Sequence, residues 1–163
     1  MKALRIIVTG GTLDKVHDPL NEGLAFSPAG ETHLHEILRQ ARCYFATIDL
    51  LMLKDSLHFD NADRRALADR ILAAPEQTIV VTHGTSTMSE TARFLKERVS
   101  NKVVVLTGAM RPFSLGASDA SFNLGSAISA AQLLNDGIWG VMNGRIFEAH
   151  QLSKNLDEGR FDR

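Results

Sequence analysis

Ile6-Ile7-Val8-Thr9-Gly10-Gly11-Thr12 is a short β-branched run that breaks on two glycines and then presents a threonine. Mid-chain, Ile79-Val80-Val81-Thr82-His83-Gly84-Thr85 repeats the arrangement with one glycine. A buried strand that ends in glycine lets the next backbone bend sharply, lifting a hydroxyl and nearby N–H groups into a cleft at the strand's carboxyl end. Two hydroxyls presented in this way point to one shared site. Other β-branched runs recur at Leu4–Thr9, roughly Phe45–Met52, Thr78–Thr82, Val103–Thr107 and Ile138–Met142, with helix-like segments between them. Pro28–Gln40 aligns Leu34, Ile37, Leu38 and Ala41, and Asp60–Ala74 opens with Asp60 as an N-cap before Ala66, Leu67, Ile71 and Leu72. Ser86–Val99 groups Met88, Ala92, Leu95 and Val99, while Asp119–Leu134 is apolar and small on nearly every face, as in a covered helix.

Apolar strands joined by crossover helices predict an α/β fold, a three-layer parallel sheet with helices on both faces. Right-handed crossovers make it flavodoxin-like or Rossmann-like. Ligands of such sheets bind beyond the strands' carboxyl ends, here Thr9–Thr12, Thr82–Ser86, Thr107–Met110 and Asn143–Arg145. Leu13–Ala29 shows no period and reads as a mobile loop, a lid beside Thr12.

The 163 residues, 44% of them hydrophobic, suit a single domain spanning 1–163. With 18 basic and 19 acidic residues the net charge is -1, which leaves no electrostatic footprint for nucleic acid or anionic membrane, so a small-molecule ligand is favoured. Cys43 is the lone cysteine, read as inert, and excludes an intramolecular disulfide. The run Leu4–Val8 is too short for a secretory core and no stretch reaches membrane-spanning length, so a cytoplasmic location is expected.

A threonine attacks an acyl carbon only when a base takes its proton and N–H groups meet the developing oxyanion, and Gly10, Gly11 and Gly84 are candidate donors. A glycine-threonine turn alone is equally consistent with a phosphate cradle or a plain structural turn. Two at the expected strand ends favour a site.

The ordered series Thr9-Gly10-Gly11-Thr12, Val81-Thr82-His83-Gly84-Thr85 with Thr87-Met88 and Glu90-Thr91-Ala92, Leu106-Thr107-Gly108-Ala109-Met110-Arg111-Pro112 and Phe122-Asn123-Leu124 resembles the bacterial-type L-asparaginases. The resemblance covers nearly the whole chain but only the N-terminal domain of the larger enzymes. It is nearest to the short single-domain branch, whose endings are similar to Met142-Asn143-Gly144-Arg145 and Ser153-Lys154-Asn155. It implies hydrolysis of a side-chain amide to carboxylate and ammonia through a threonine acyl ester, with no cofactor and no metal. By position it implies Thr12 as nucleophile, Thr85 as second catalytic threonine and Lys154 as catalytic lysine. Ser56 matches the serine that binds the substrate's α-carboxylate, and Ala109 lines the pocket with Gly11 and Gly84. It also implies a homo-oligomer, for which the small-residue helix Ala117–Leu134 offers a surface.

Three positions depart from the family pattern. Ser86 stands where aspartate follows the second threonine, so a hydroxyl replaces a full negative charge beside the substrate's ammonium. His17 stands where the short branch has a tyrosine that activates Thr12. Imidazole titrates near 6.5 against about 10 for a phenol, so His17 is a candidate base with Lys154 as the alternative. Gln132-Leu133-Leu134 lacks the basic residue of the larger enzymes' fourth helix, so no Thr-Lys-Asp triad is read.

The remaining polar residues have plainer readings. His33 and His35 fall on different helix faces, against a metal site. His83 reads as structural, bonding nearby backbone, and His58 and His150 carry no spacing signal. Lys15 either orients the loop or is solvated. Arg111-Pro112 reads as a turn, and Asp119 as helix cap or site residue. Amide hydrolysis is the leading expectation; an idle amino-acid-binding module of the same fold is the alternative, and a phosphate cradle ranks last.

Overall fold

The structure, a computed structural model, describes residues 2–162. In chain order its elements are β1 (Leu4–Gly10), β2 (Lys15–Asp18), β3 (Gly23–Phe26), α1 (Leu34–Gln40), β4 (Ala46–Lys54), α2 (Asn61–Ala73) and β5 (Thr78–Thr82). Then follow α3 (Met88–Lys96), β6 (Val103–Thr107), α4 (Ala120–Leu133), β7 (Gly137–Met142), β8 (Arg145–Glu148), β9 (Lys154–Asn155) and β10 (Arg160–Phe161).

The main sheet runs β4-β1-β5-β6-β7-β8, parallel except for β8, which pairs antiparallel with β7. Successive strand residues point to opposite faces and so build two cores. Ile7, Val81, Val104 and Leu106 pack with Leu67 and Ile71 of α2 and with Met88 and Leu95 of α3. Ile6, Val8, Val80 and Val105 pack with Leu34 and Ile37 of α1 and with Leu124 and Ala127 of α4. The expected α/β architecture with helices on both faces is therefore present. The five parallel strands stand in the flavodoxin-like order 2-1-3-4-5.

From β1 the chain steps outward to β4, then returns across β1 to reach β5 on its other side. The direction of winding reverses between β1 and β5, and a cleft opens at such a switch point. Thr12 follows β1 and Thr85 follows β5, so topology alone puts both hydroxyls there.

Right-handed winding does not hold throughout. The steps β4 to β5, β5 to β6 and β6 to β7 all run the same way across the sheet, yet α2 and α3 share one face while α4 joins α1 on the other. The β6-α4-β7 connection therefore has the opposite hand to the other three, which makes it left-handed under the strong right-handed rule for the rest. Its long lead-in, Gly108 to Asp119 with positive φ at Gly116 and Ala117, carries the chain to the far face before the helix begins.

The expected lid loop is instead a β-hairpin, β2 against β3, with Lys15 opposite Phe26 and His17 opposite Leu24. Its turn is closed by the Asp18 carboxylate, which accepts the Leu20 and Asn21 N–H groups at 3.0 and 3.3 Å. The first helix starts at Leu34 rather than near Pro28, because Thr32 and the His33 N–H are drawn to Asp14. Asp60 caps α2 as expected, in a reciprocal capping box with Asp63. Among the described residues no helix is long and apolar enough to cross a membrane.

Candidate active site

The first turn depends on its two glycines. Gly10 and Gly11 have φ of 96° and 83°, and a Cβ on Gly10 would run into the Lys54 backbone. A Cβ on Gly11 would run into the backbone of Gly84. The two threonine-bearing turns thus meet backbone to backbone, at a distance that only glycine allows. The Gly11 N–H is committed to the Lys54 carbonyl at 3.1 Å, so Gly11 serves the turn by close approach. Thr12, half-buried, opens a single 3-10 turn that ends at the buried Asp14. One oxygen of Asp14 accepts the Thr32 hydroxyl and the His33 N–H, both at 2.8 Å, which ties the Thr12 turn to the start of α1. Burial pushes the Asp14 carboxyl above its ordinary pKa, against those same hydrogen bonds.

The second turn is packed on both sides. A Cβ on Gly84 would strike the Ser56 side chain, so Ser56, Gly84 and Gly11 form one stack. Ser56 is buried, and its carbonyl accepts the Thr87 hydroxyl at 2.8 Å. The preceding Asp55 pairs with Lys15, fastening the hairpin to the loop that carries Ser56. Lys15 therefore orients its surroundings, the first of its two sequence readings.

Lys154 reaches the site from far along the chain. Its ammonium donates to the Thr85 hydroxyl oxygen at 3.0 Å. An ammonium has no lone pair, so Thr85 is the acceptor in this bond and its own proton is free to point elsewhere. The lysine is delivered by a tail that the core grips twice. Leu152 fills space left by Gly140, where a Cβ would collide with it, and the buried Phe161 donates its N–H to Asn143 at 2.9 Å.

Threonine hydroxyls and one buried amide tie the strand tips together. Thr9 donates to the Thr82 carbonyl and Thr107 to the Val141 carbonyl, each at 2.8 Å. Asn123 of α4 donates to the Gly108 carbonyl and accepts the Asn143 N–H, both at 3.0 Å. Asp119 accepts the Met110 and Arg111 N–H groups and the Asn123 amide, so it organises the loop after β6.

The expected site residues divide into two groups. Gly11, Thr12, Ser56, Gly84, Thr85 and Lys154 gather at the switch point, and Ala109 is buried at the end of β6 beside them. Ser86 faces solvent. His17 is exposed on β2, on the hairpin face that Lys15 shares, and no hydrogen bond joins its ring to Thr12. Among the described residues no group of three His, Cys, Asp or Glu side chains is placed to hold a metal ion. A concavity of about 620 Å³ beside Val16, His33, His35 and Leu50 is lined by neither threonine turn. The sequence offers Lys15 as a loop-orienting residue and Asn123 within the Phe122-Asn123-Leu124 motif, but neither the Asp55 partner of the one nor the bridge made by the other shows in a linear pattern.

Residues 3–160 match the family model described as asparaginase, N-terminal. The chain is 33% identical over 162 residues to L-asparaginase 2 of Bacillus subtilis, covering 93% of this chain and 43% of that protein. It is 30% identical over 155 residues to the L-asparaginase of Thermococcus kodakarensis, covering 93% of this chain and 47% of that one. The probable cytoplasmic L-asparaginase of Campylobacter jejuni superposes with a TM-score of 0.81 at 27% identity, covering 99% of this chain and 52% of its own. The chain spans less than half the length of these curated relatives. With glycine-supported threonines at the switch point and a family match along almost its entire length, the chain belongs to the asparaginase family, in the part that forms the family's N-terminal region.

Proposed function

We propose that this protein is an amidohydrolase that cleaves the side-chain amide of L-asparagine or a related amino-acid amide, through an acyl ester on Thr12. The observation that carries the reading is the 3.0 Å bond from Lys154 to Thr85 on a turn packed directly against that of Thr12. A hydroxyl nucleophile needs a partner group for its proton and donors for the oxyanion, and this arrangement supplies both.

In the proposed reaction the Thr12 oxygen bonds to the amide carbon as its proton passes to Thr85, whose own proton moves to Lys154, which enters this step as the neutral amine. The carbon–nitrogen bond then breaks and ammonia leaves with the returned proton. Water adds to the ester, the Thr12–carbon bond breaks, and the carboxylate departs while Thr12 regains its proton. Ser56 and the neighbouring amides hold the rest of the substrate, and Ala109 closes the pocket wall. His17, exposed on β2 with no hydrogen bond to Thr12, takes no part in the step as written. The reaction as written needs no cofactor or metal. The proposal extends to one domain spanning 1–163, a homo-oligomer and a cytoplasmic location, in line with the name of the Campylobacter relative.

Ammonia release from L-asparagine and L-glutamine tests the reading. Wild type turns over, and Thr12→Ala loses at least about 10³-fold in rate while keeping its fold. Activity retained in Thr12→Ala excludes this nucleophile. The exposed Ser86, where the family pattern has a carboxylate, favours the second reading of an idle binding module. Saturable binding of L-aspartate without turnover of any amide would establish that one instead.

A further inference from the structure

By sequence His83 reads as a structural residue, and its surroundings assign it more. Its ring is 1% exposed and stands edge-on to Phe59, with centroids 4.6 Å apart. Nδ1 lies 2.7 Å from the Gly84 carbonyl oxygen and Nε2 lies 3.0 Å from the Thr91 hydroxyl. A carbonyl only accepts, so Nδ1 carries the proton and Nε2 accepts the hydrogen of Thr91. Thr91 in turn accepts from Arg64 Nε at 3.2 Å, and Arg64 is held by Glu90 at 2.9 Å. Every bond in this series donates in one direction, from Arg64 through Thr91 and His83 to the Gly84 carbonyl. Such chains polarise each successive bond.

The end of the chain is the peptide that precedes Thr85. A glycine peptide turns over more readily than any other, and Gly84 is forced to be glycine by Ser56. Something else must therefore set the plane of the Gly84–Thr85 peptide. In a trans peptide the N–H points opposite to the C=O, so drawing the Gly84 oxygen onto the buried ring turns the Thr85 N–H to the other side. That N–H has no acceptor among the described residues. We propose that His83, a neutral imidazole whose tautomer is fixed by the Gly84 carbonyl and matched by the Thr91 hydroxyl, is the positioning residue that aims and sharpens the Thr85 N–H as an oxyanion donor. The catalytic meaning of this donor rests on the amidohydrolase reading above; the tautomer and the peptide orientation do not.

The experiment joins NMR of 15N-histidine-labelled protein to kinetics of three forms, wild type, His83→Asn and His83→Leu. Asparagine places a donor where Nδ1 stood, whereas leucine fills the space without one. In wild type the proton resides on Nδ1 and Nε2 is pyridine-like, and the Thr85 amide resonance moves in His83→Leu but is largely restored in His83→Asn. With L-asparagine as probe, His83→Leu loses about 100-fold in kcat at nearly constant KM, the cost of one oxyanion donor. His83→Asn stays within about fivefold, the scale of one weakened hydrogen bond. A proton on Nε2, a Thr85 amide that does not move in His83→Leu, equal losses in both variants, or a loss confined to KM would overturn the proposal. If wild type releases no ammonia the amidohydrolase reading fails, and the two NMR measurements still decide the role of His83. If His83→Leu does not fold, the wild-type tautomer and Thr91→Val, which removes the donor to Nε2, decide it. Thr91→Val is expected to keep the Nδ1–H form that the Gly84 carbonyl fixes while moving the Thr85 amide resonance, and an unmoved Thr85 amide in that variant counts against the mechanism.

Discussion

Acidification from pH 7 to pH 5 should destabilise this protein through one residue, and the size of the effect follows from where that residue sits. Burial holds the His83 imidazole near a pKa of about 4 against an ordinary 6.5; the facing Arg64 charge acts the same way, and the Gly84 carbonyl opposes both. Arg64 is itself paired with Glu90, and the other groups touching the ring, Phe59 and Thr91, carry no charge. Between those two values the unfolded chain binds a proton that the folded chain refuses, so stability present above pH 6.5 is lost as the pH falls towards 4. Integrating that difference from pH 7 to pH 5 gives a loss of about 2 kcal/mol, or roughly 4–8 °C in Tm for a chain of this size. Asp14 works in the opposite sense. Its pKa is raised by burial, so protonation on acidification relieves a cost and makes the net loss smaller. The clean measurement is therefore a difference: urea unfolding of wild type and His83→Asn at several pH values, where Asp14 and every other group cancel. The wild-type curve should fall away from that of the variant by about 2 kcal/mol over this range. Parallel curves, or a His83 resonance that titrates near 6.5, would refute the reasoning.

Two further outcomes follow from the site itself. Gly11→Ala forces a side chain into a φ of 83° and ψ of -174°, worth about 1–3 kcal/mol, and drives a methyl into the Gly84 backbone at a comparable cost. Its urea midpoint should drop accordingly, and a change below about 1 kcal/mol would mean that the two turns are not in contact. Lys154→Met keeps the stem of the side chain but removes the donor to Thr85, so kcat for L-asparagine is expected to fall by about 10²–10⁴-fold with the fold intact. Unchanged turnover in that variant would remove Lys154 from the reaction.

The parts of the fold that a linear pattern records were legible in advance. Continuous β-branched runs marked the five parallel strands, and Asp60 marked the start of α2, because strand burial and helix capping are local properties of the chain. The β7-β8 hairpin was legible too: Asn143-Gly144, both with positive φ, is the expected two-residue turn between paired strands. The same residues also read as a strand tip, so the turn signal competes with a second reading. The hairpin β2-β3 left a weaker trace, since Lys15, Val16, His17 and Asp18 form a half-exposed strand with little apolar contrast, and a carboxylate rather than a turn motif closes it.

The left-handed step through α4 could not be read in this way. Strand and helix periods are the same for either hand, and the hand is settled by which face the apolar surface of α4 can cover. Its consequence lies at the site. Had α4 joined α2 and α3, Asn123 would stand on the wrong face to bridge the Gly108 carbonyl and the Asn143 N–H, and the tips of β6 and β7 would lose their common support. The same limit explains the two histidines. His17 has the register expected of a base relative to Thr12, yet it lies exposed on β2; His83 reads by sequence as a residue bonded to nearby backbone, and its neighbours Thr82 and Gly84 say nothing of the groups on its far side. What gives His83 its place is Thr91 one turn into α3 and Arg64 on α2, groups that meet only after two crossovers have placed both helices on the same face. Spacing along the chain from Thr12 points to candidates, but the direction of each donor and acceptor, fixed by packing, decides which imidazole is bonded to a threonine turn.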